Sequence, residues 1–349
     1  MTRTLPFEKI RLGSIEKCYA VLGVELEGKP CLYFGGEGTG SVRAFRGDEF
    51  DRCDVIWEGG GGTMSIVPLP GYDGWALASR GFYSMIECGG STVEIIRYRG
   101  GAFSHEAVAA LPFLHRFDTL KAPDGTRYLF AATLHGGKAD KEDWSRPGHL
   151  YWGVLPGDLD DPFRVALDRL PGDFYINHGF CRGTWEGREA AFTASREGVF
   201  VTLPPEERGN AWQTQRLLDF PVSDIAVADV NGDGKQEIAA LMPFHGNEFR
   251  IFQREGEEYR GDFSYPVEND FYHAVISGRI GKELMFVGGA RKLAADLFLI
   301  RWDGDSKAYC AQQIEKGPGP SNLAILNTSS GDLLLSANRM IHEAAAYRF

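Results

Sequence analysis

"DIAVADVNGDGKQEIAALMPF", residues 224 to 244, reads as strand, turn, strand. Two apolar runs flank a stretch of Asp, Asn and Gly that can continue neither of them. A third run, "EFRIFQ" (248–253), follows after a short break. A unit of this size cannot bury its own apolar faces, so its meaning depends on whether the chain repeats it.

The same phrase recurs along the chain. It is heard in "CYAVLGVELEGKPCLYFGG" from residue 18, "MSIVPLPGYDGWALASR" from 64, "HRFDTLKAPDGTRYLFAATLHGG" from 115 and "HGFCRGTWEGREAAFTASR" from 178. After the copy at 224 come "HAVISGRIGKELMFVGGAR" from 273 and "NLAILNTSSGDLLLSANR" from 322. Seven copies, roughly 50 residues apart and rich in strand formers, predict an all-β chain folded as a seven-bladed β-propeller. Each copy supplies strands A, B and C, with an outer strand D such as "DVIWEG" (54–59) or "TVEIIRYR" (92–99). The last copy ends at Phe349 without a strand D, and the N-terminal "FEKIRLG" (7–13) is expected to fill that place and close the ring. The whole chain, 1–349, is then one propeller domain.

Composition narrows the function. A net charge of −11 without a Lys/Arg-rich segment argues against nucleic acid or an anionic membrane as partner. No apolar run reaches signal-peptide or transmembrane length, and the six cysteines lack metal-ligand spacing. Free buried thiols and a cytoplasmic location are expected. The glycine runs "GGEGTG" (35–40) and "GGGG" (59–62) lack the strand-to-helix setting of a phosphate loop and read as blade turns.

Within the copy at 224, Asp229, Asn231, Asp233 and Glu237 are spaced like ligands of a calcium ion, although the last acid falls earlier than in an EF-hand. This D-x-N-x-D-G-x-x-E string resembles the repeat of FG-GAP/VCBS-type propellers. That resemblance implies calcium bound in the loop between strands A and B. The whole chain is also similar in layout to the propeller of the aldos-2-ulose dehydratase family, keto-sugar lyases and isomerases.

Antiparallel strands divide the propeller into two faces. The start of strand A, the end of strand B and the B–C loop share one face, and the A–B turn lies on the other. The acidic loop is therefore expected to staple the face opposite the chemistry. Aligned on the A–B turn, the copies begin strand A with Cys18 (or Tyr19), Met64, His115, His178, Asp224, His273 and Asn322. Strand A lines the axial channel, so His115, His178 and His273 are expected at its mouth as ligands of zinc, manganese or iron, with Asp224 as a fourth ligand or a base. The ends of strand B add Glu37, Arg80, His135, Arg196, His245, Arg291 and Arg339. The four arginines, with Asn322 and Trp144 of the long insertion 135–149, are candidates for holding substrate. His135, His245 and Tyr272 are candidates for moving protons; Tyr72 and Tyr175 lie further from the expected mouth.

The expected activity is that of a metal-dependent lyase, dehydratase or isomerase on a carbohydrate-derived small molecule or oligosaccharide: a keto-sugar, glycoside or uronate. Two alternatives stand beside it. One is a non-catalytic propeller that binds a glycan or protein, and the other is a hydrolase using the same metal.

Overall fold

The computed structural model describes residues 4–349. Seven four-stranded antiparallel sheets form the blades of a ring. Their innermost strands are Cys18–Leu26, Ile66–Pro68, Leu114–Lys121, Gly179–Trp185, Asp224–Ala228, Asn269–Ile280 and Pro320–Thr328. Each of these strands A touches the next, and the seventh touches the first.

Sequence pattern follows radial position. Strand A of blade 5, Asp224–Ala228, is buried at every residue, because neighbouring blades cover both its faces. The outer strand Gln213–Leu218 of blade 4 is mostly exposed and polar. The core lies between blades. Tyr265 stacks on Phe298 at 3.7 Å between blades 5 and 6, and Trp212 packs on Phe130 at 5.3 Å and on Trp152 at 5.7 Å between blades 4 and 3. Truncating such a ring to alanine costs about 3–5 kcal/mol.

The ring closes as the sequence predicts. Glu8–Ser14 pairs antiparallel with Glu343–Arg348, from Glu8↔Arg348 to Ser14↔Glu343, and supplies the outer strand of blade 7. Phe7 packs on Tyr347 at 5.9 Å and Phe349 at 5.7 Å, so the two chain ends share an apolar seam. In blade 2 the strand order differs from expectation. Thr92–Arg99 is strand C, and Ala102–Ala110 is the outer strand. The long segment 81–91 between strands B and C made the third strand read as a fourth.

Among the described residues no helix is long and apolar enough to cross a membrane. All six cysteines are free, but only Cys18, Cys31 and Cys88 are buried; Cys53, on an outer strand, is exposed.

Candidate functional site

A recurrent backbone device builds the channel mouth. Lys17, Gly62, Phe113, Ile176 and Phe271 all have positive φ, at 46°, 65°, 65°, 53° and 59°. Each stands two residues before Tyr19, Met64, His115, His178 and His273, respectively. At Tyr19, His115 and His273 the pairing of strand A with strand B also slips by one residue. Such a bulge breaks the alternation of a strand and re-aims the extra side chain, here into the channel. Gly62 is required at its position, since a Cβ there would come within 2.4 Å of the Phe82 backbone.

One ring nitrogen from each of His178, His245 and His273 lies within 4.8 Å of the others. A tetrahedral zinc site with ~2.0–2.1 Å bonds needs nitrogens about 3.3 Å apart, which lies inside that bound. Two of its members are oriented from behind. His178 Nδ1–H donates to the Ser223 carbonyl at 3.0 Å, and His273 Nδ1–H donates to the Ser321 carbonyl at 2.8 Å. Each carbonyl stands at the entry to the next blade's strand A. Both rings are thereby held with Nε2 as the lone-pair nitrogen, as metal-binding imidazoles are. His245 sits at φ 49° in the B–C turn of blade 5, and its Nε2 is buried without a partner. Burial holds all three neutral: His178 and His273 titrate well below the usual histidine range, and His245 is lowered to about 3 by burial and then by Arg291. Neutral, converging imidazoles with one orphaned nitrogen fit a divalent transition metal.

His115 stands beside the trio, its ring 4.6 Å from that of His178 and its Nδ1 buried without a partner. Sequence alignment of the blades placed His115 in the metal set. The structure brings His245 into the cluster in its place, because the blade 5 turn folds back over the mouth.

Tyr19, buried, directs its hydroxyl to His273 Nε2 at 3.2 Å. Burial pushes the phenol up to about 12, partly opposed by Arg116. These groups line a cavity of about 220 Å³ together with Met64, Phe82, Phe244, Phe271 and Arg291. Phe244 and Phe271 sandwich the His245 ring at 3.8 and 4.1 Å.

Beneath the histidines a polar layer crosses the channel. Arg116 donates to the Met64 carbonyl at 3.1 Å and to Asn322 Oδ1 at 2.8 Å, and its Nη2 lies 3.6 Å from Asp224. Asp224 Oδ1 accepts from the Phe180 and Ile225 amides at 3.2 and 2.9 Å. Burial raises this carboxyl to about 6 against the pull of Arg116. Asp224 is therefore one layer below the imidazoles and spoken for, outside the cluster it was expected to join. Asn322 spends its other end on the Tyr19 carbonyl at 2.8 Å. A second cavity of about 250 Å³ continues the channel below this layer.

Other expected residues lie elsewhere. Tyr272 is set in the core between blades 5 and 6, against Phe249 and Phe298, because the bulge turns His273 inward and its neighbour away. His135 is fully buried, donating to the Met85 carbonyl at 2.8 Å and accepting from the Gly137 amide at 3.0 Å. With both nitrogens engaged it anchors the 135–149 insertion. That insertion brings Trp144 to Phe244 at 5.3 Å, making one wall of the mouth. Two of the four arginines are engaged by polar protein groups. Arg339 binds Glu37 at 2.6 Å and Arg80 donates to the Gly60 carbonyl at 3.0 Å, while exposed Arg196 lies over the Tyr175 ring at 5.4 Å. Tyr72 is at the opposite face, where its hydroxyl accepts from the Leu159 amide at 3.0 Å.

On that opposite face carboxylate oxygens of Asp229, Asp233 and Glu237 also come within 4.8 Å of one another. Asp229 accepts from the amides of Gly232, Asp233 and Gly234 at 2.8, 3.1 and 3.0 Å. Asn231 Oδ1 accepts from the Asp233 amide at 2.9 Å. An all-oxygen set of this kind suits a hard cation such as calcium.

The residues sequence reasoning passed over are Arg116, Phe244 and Phe271. Arg116 directly follows His115, and no motif marks any of the three. The sequence matches no protein-family model and no curated protein, so the functional reading rests on the site itself.

Proposed function

We propose that the channel mouth is the active site of a metal-dependent lyase or isomerase acting on a carbohydrate-derived substrate. The observation that carries this reading is the convergence of His178, His245 and His273, with two rings fixed through Nδ1–H and the His245 Nε2 unpaired. A zinc, manganese or iron ion held there would polarise a substrate carbonyl and acidify the adjacent C–H.

The remaining groups suit a β-elimination. His115 is neutral at physiological pH, well below the usual histidine range through burial and then Arg116. Its lone pair accepts the proton of a C–H next to a polarised carbonyl. Tyr19, held protonated, gives its proton to the departing oxygen as the C–O bond breaks. One proton is taken and one returned, so a C=C bond and a hydroxyl compound form without a further reactant. Isomerisation uses the same first step with the proton returned to a neighbouring carbon. The keto-sugar family that the chain resembles in layout agrees with this reading. We further assign Asp229, Asn231, Asp233 and Glu237 as a structural calcium site, in the manner of FG-GAP repeats.

A second reading, a rim that binds a protein or glycan without chemistry, draws on Leu293, Met340 and Ile341, exposed on the same side of the ring. Elemental mass spectrometry on the wild type and the H178A/H245A/H273A variant separates the two. About one equivalent of transition metal, lost in the variant while calcium stays, with ultraviolet-absorbing product formed from uronides or keto-sugars, supports the enzyme. No transition metal in either protein overturns it.

A further inference from the structure

Arg291 stands apart from the other rim arginines. It lies near the end of strand B of blade 6 (Glu283–Leu293) and lines the histidine cavity. Its guanidinium lies 4.6 Å from the centre of the Phe271 ring, and Nε is buried without a hydrogen-bond partner. Among the described residues no carboxylate comes within ion-pair distance of it. The nearby Glu37 is already committed to Arg339. Burial, and then repulsion by Arg339, lower Arg291 to about 10.

A half-buried guanidinium with an orphaned Nε and no counter-charge leaves a partner to be supplied. Stacking on Phe271 leaves the plane of N–H donors free to grip a flat, two-oxygen acceptor. Charge calls for an anion. The surrounding imidazoles are neutral, and Arg291, Arg339 and Glu37 together leave one positive charge on the rim, to which a bound metal would add. The planar guanidinium fork matches the two coplanar oxygens of a carboxylate. At about 220 Å³ the cavity falls below the ~300–1,000 Å³ of drug-sized sites, so it admits one ring-sized unit.

We propose that the substrate carries a carboxylate and that Arg291 is its receptor, holding the acid group while the rest of the molecule reaches the His178–His245–His273 nitrogens. The substrate class is thus a sugar acid. This rests on the reading of the mouth as a substrate site, and it makes Arg291 the residue that separates acids from neutral sugars.

The test is calorimetric titration and thermal shift with D-glucuronate, D-galacturonate and D-gluconate, set against the uronate methyl esters, D-glucose and inorganic phosphate. The proteins are the wild type, R291Q and R291K, each with its metal content measured. At least one acid should bind the wild type saturably, with its neutral counterpart weaker by roughly 10- to 100-fold. R291Q should lose that same factor, and R291K should fall between, since it keeps the charge without the fork. Metal content should be equal in all three. The proposal is overturned if no acid binds, if esters bind as well as acids, if R291Q binds acids like the wild type, or if phosphate binds more tightly than any acid. Arg291-dependent acid binding in a protein without transition metal would uphold this inference and remove the lyase reading. A metal-loaded protein indifferent to R291Q would do the reverse.

Discussion

Asp224→Asn tests whether this aspartate belongs to the channel's polar layer or to the chemistry above it. In the folded protein its carboxyl is raised from 3.8 to about 6, chiefly by burial, with Arg116 opposing. The folded state therefore holds this proton more tightly than the unfolded chain does. Stability from this group is full below pH 4 and declines as pH rises through about 6. At ~1.4 kcal/mol per pKa unit the decline is about 3 kcal/mol. For 349 residues at ~2.1 cal/mol/K each, the unfolding entropy is near 0.7 kcal/mol/K, so about 3 kcal/mol is about 4 °C of Tm. Asn keeps the Oδ1 acceptor for the Phe180 and Ile225 amides and has no charge to desolvate. Thermal scans in chelator at pH 4 and pH 7 should show Asp224→Asn sparing about 4 °C of the wild type's loss. Arg116→Met should act in the opposite sense, costing about 3–5 kcal/mol at pH 7, where it strands a buried carboxylate, and less at pH 4. Parallel pH profiles for wild type and Asp224→Asn would refute the assignment, as would loss of transition metal from Asp224→Asn.

Tyr19→Phe should keep its transition metal and lose about 10²–10⁴ in kcat, measured on whichever sugar acid or keto-sugar proves active; unchanged turnover would remove Tyr19 as proton donor. Tyr272→Phe, a core change, should leave metal content and kcat unaltered and shift Tm by less than about 2 °C in a thermal scan. Chelation with EGTA, or D229N/D233N, should lower Tm by about 4 °C if calcium is present at ~100 times its Kd, with the transition metal retained in the double variant. Ile10→Pro removes a ladder position opposite Ala346 in the closing strand. It should loosen the closing strand and expose the Glu343–Arg348 edge, seen as earlier melting and self-association by light scattering.

The ring was legible because its signal is long-range and redundant. Strand formers alternate with turn residues in seven copies roughly 50 residues apart, so an error in any one copy leaves the count intact. The closing strand was legible for a related reason, since the last copy lacks an outer strand and the N-terminus offers a spare. What went astray was local. The 81–91 segment between strands B and C of blade 2 displaced the naming of its strands, because loop length carries no signature of strand order. Among site residues, equivalence between copies located His115, His178 and His273 in one neighbourhood. It could not say which imidazoles converge, since that depends on side-chain direction and on how the turn carrying His245 folds. Cys18 and Tyr19 were indistinguishable for the same reason. Strict alternation cannot tell which faces the channel once a bulge intervenes.

The bulge is also what joins fold to function here. Five blades place a residue of positive φ two positions before the side chain that enters the mouth. Those side chains are Tyr, Met, His, His and His in turn. The backbone device is constant and the residue displayed varies, so the mouth's chemistry changes without re-engineering blade packing. Blade 5 departs from the device. Its strand A begins at Asp224 in the deeper layer, and the imidazole it contributes comes instead from the B–C turn, at His245. That same blade carries the Asp229–Glu237 loop on the opposite face. A cation held there would fix the A–B turn joining its two inner strands, and the second of these leads directly into the His245 turn. Calcium at one face would then act on the other through the rigidity of a single hairpin. The acidic motif would serve the histidines by holding still the one imidazole of the trio that the positive-φ device does not supply.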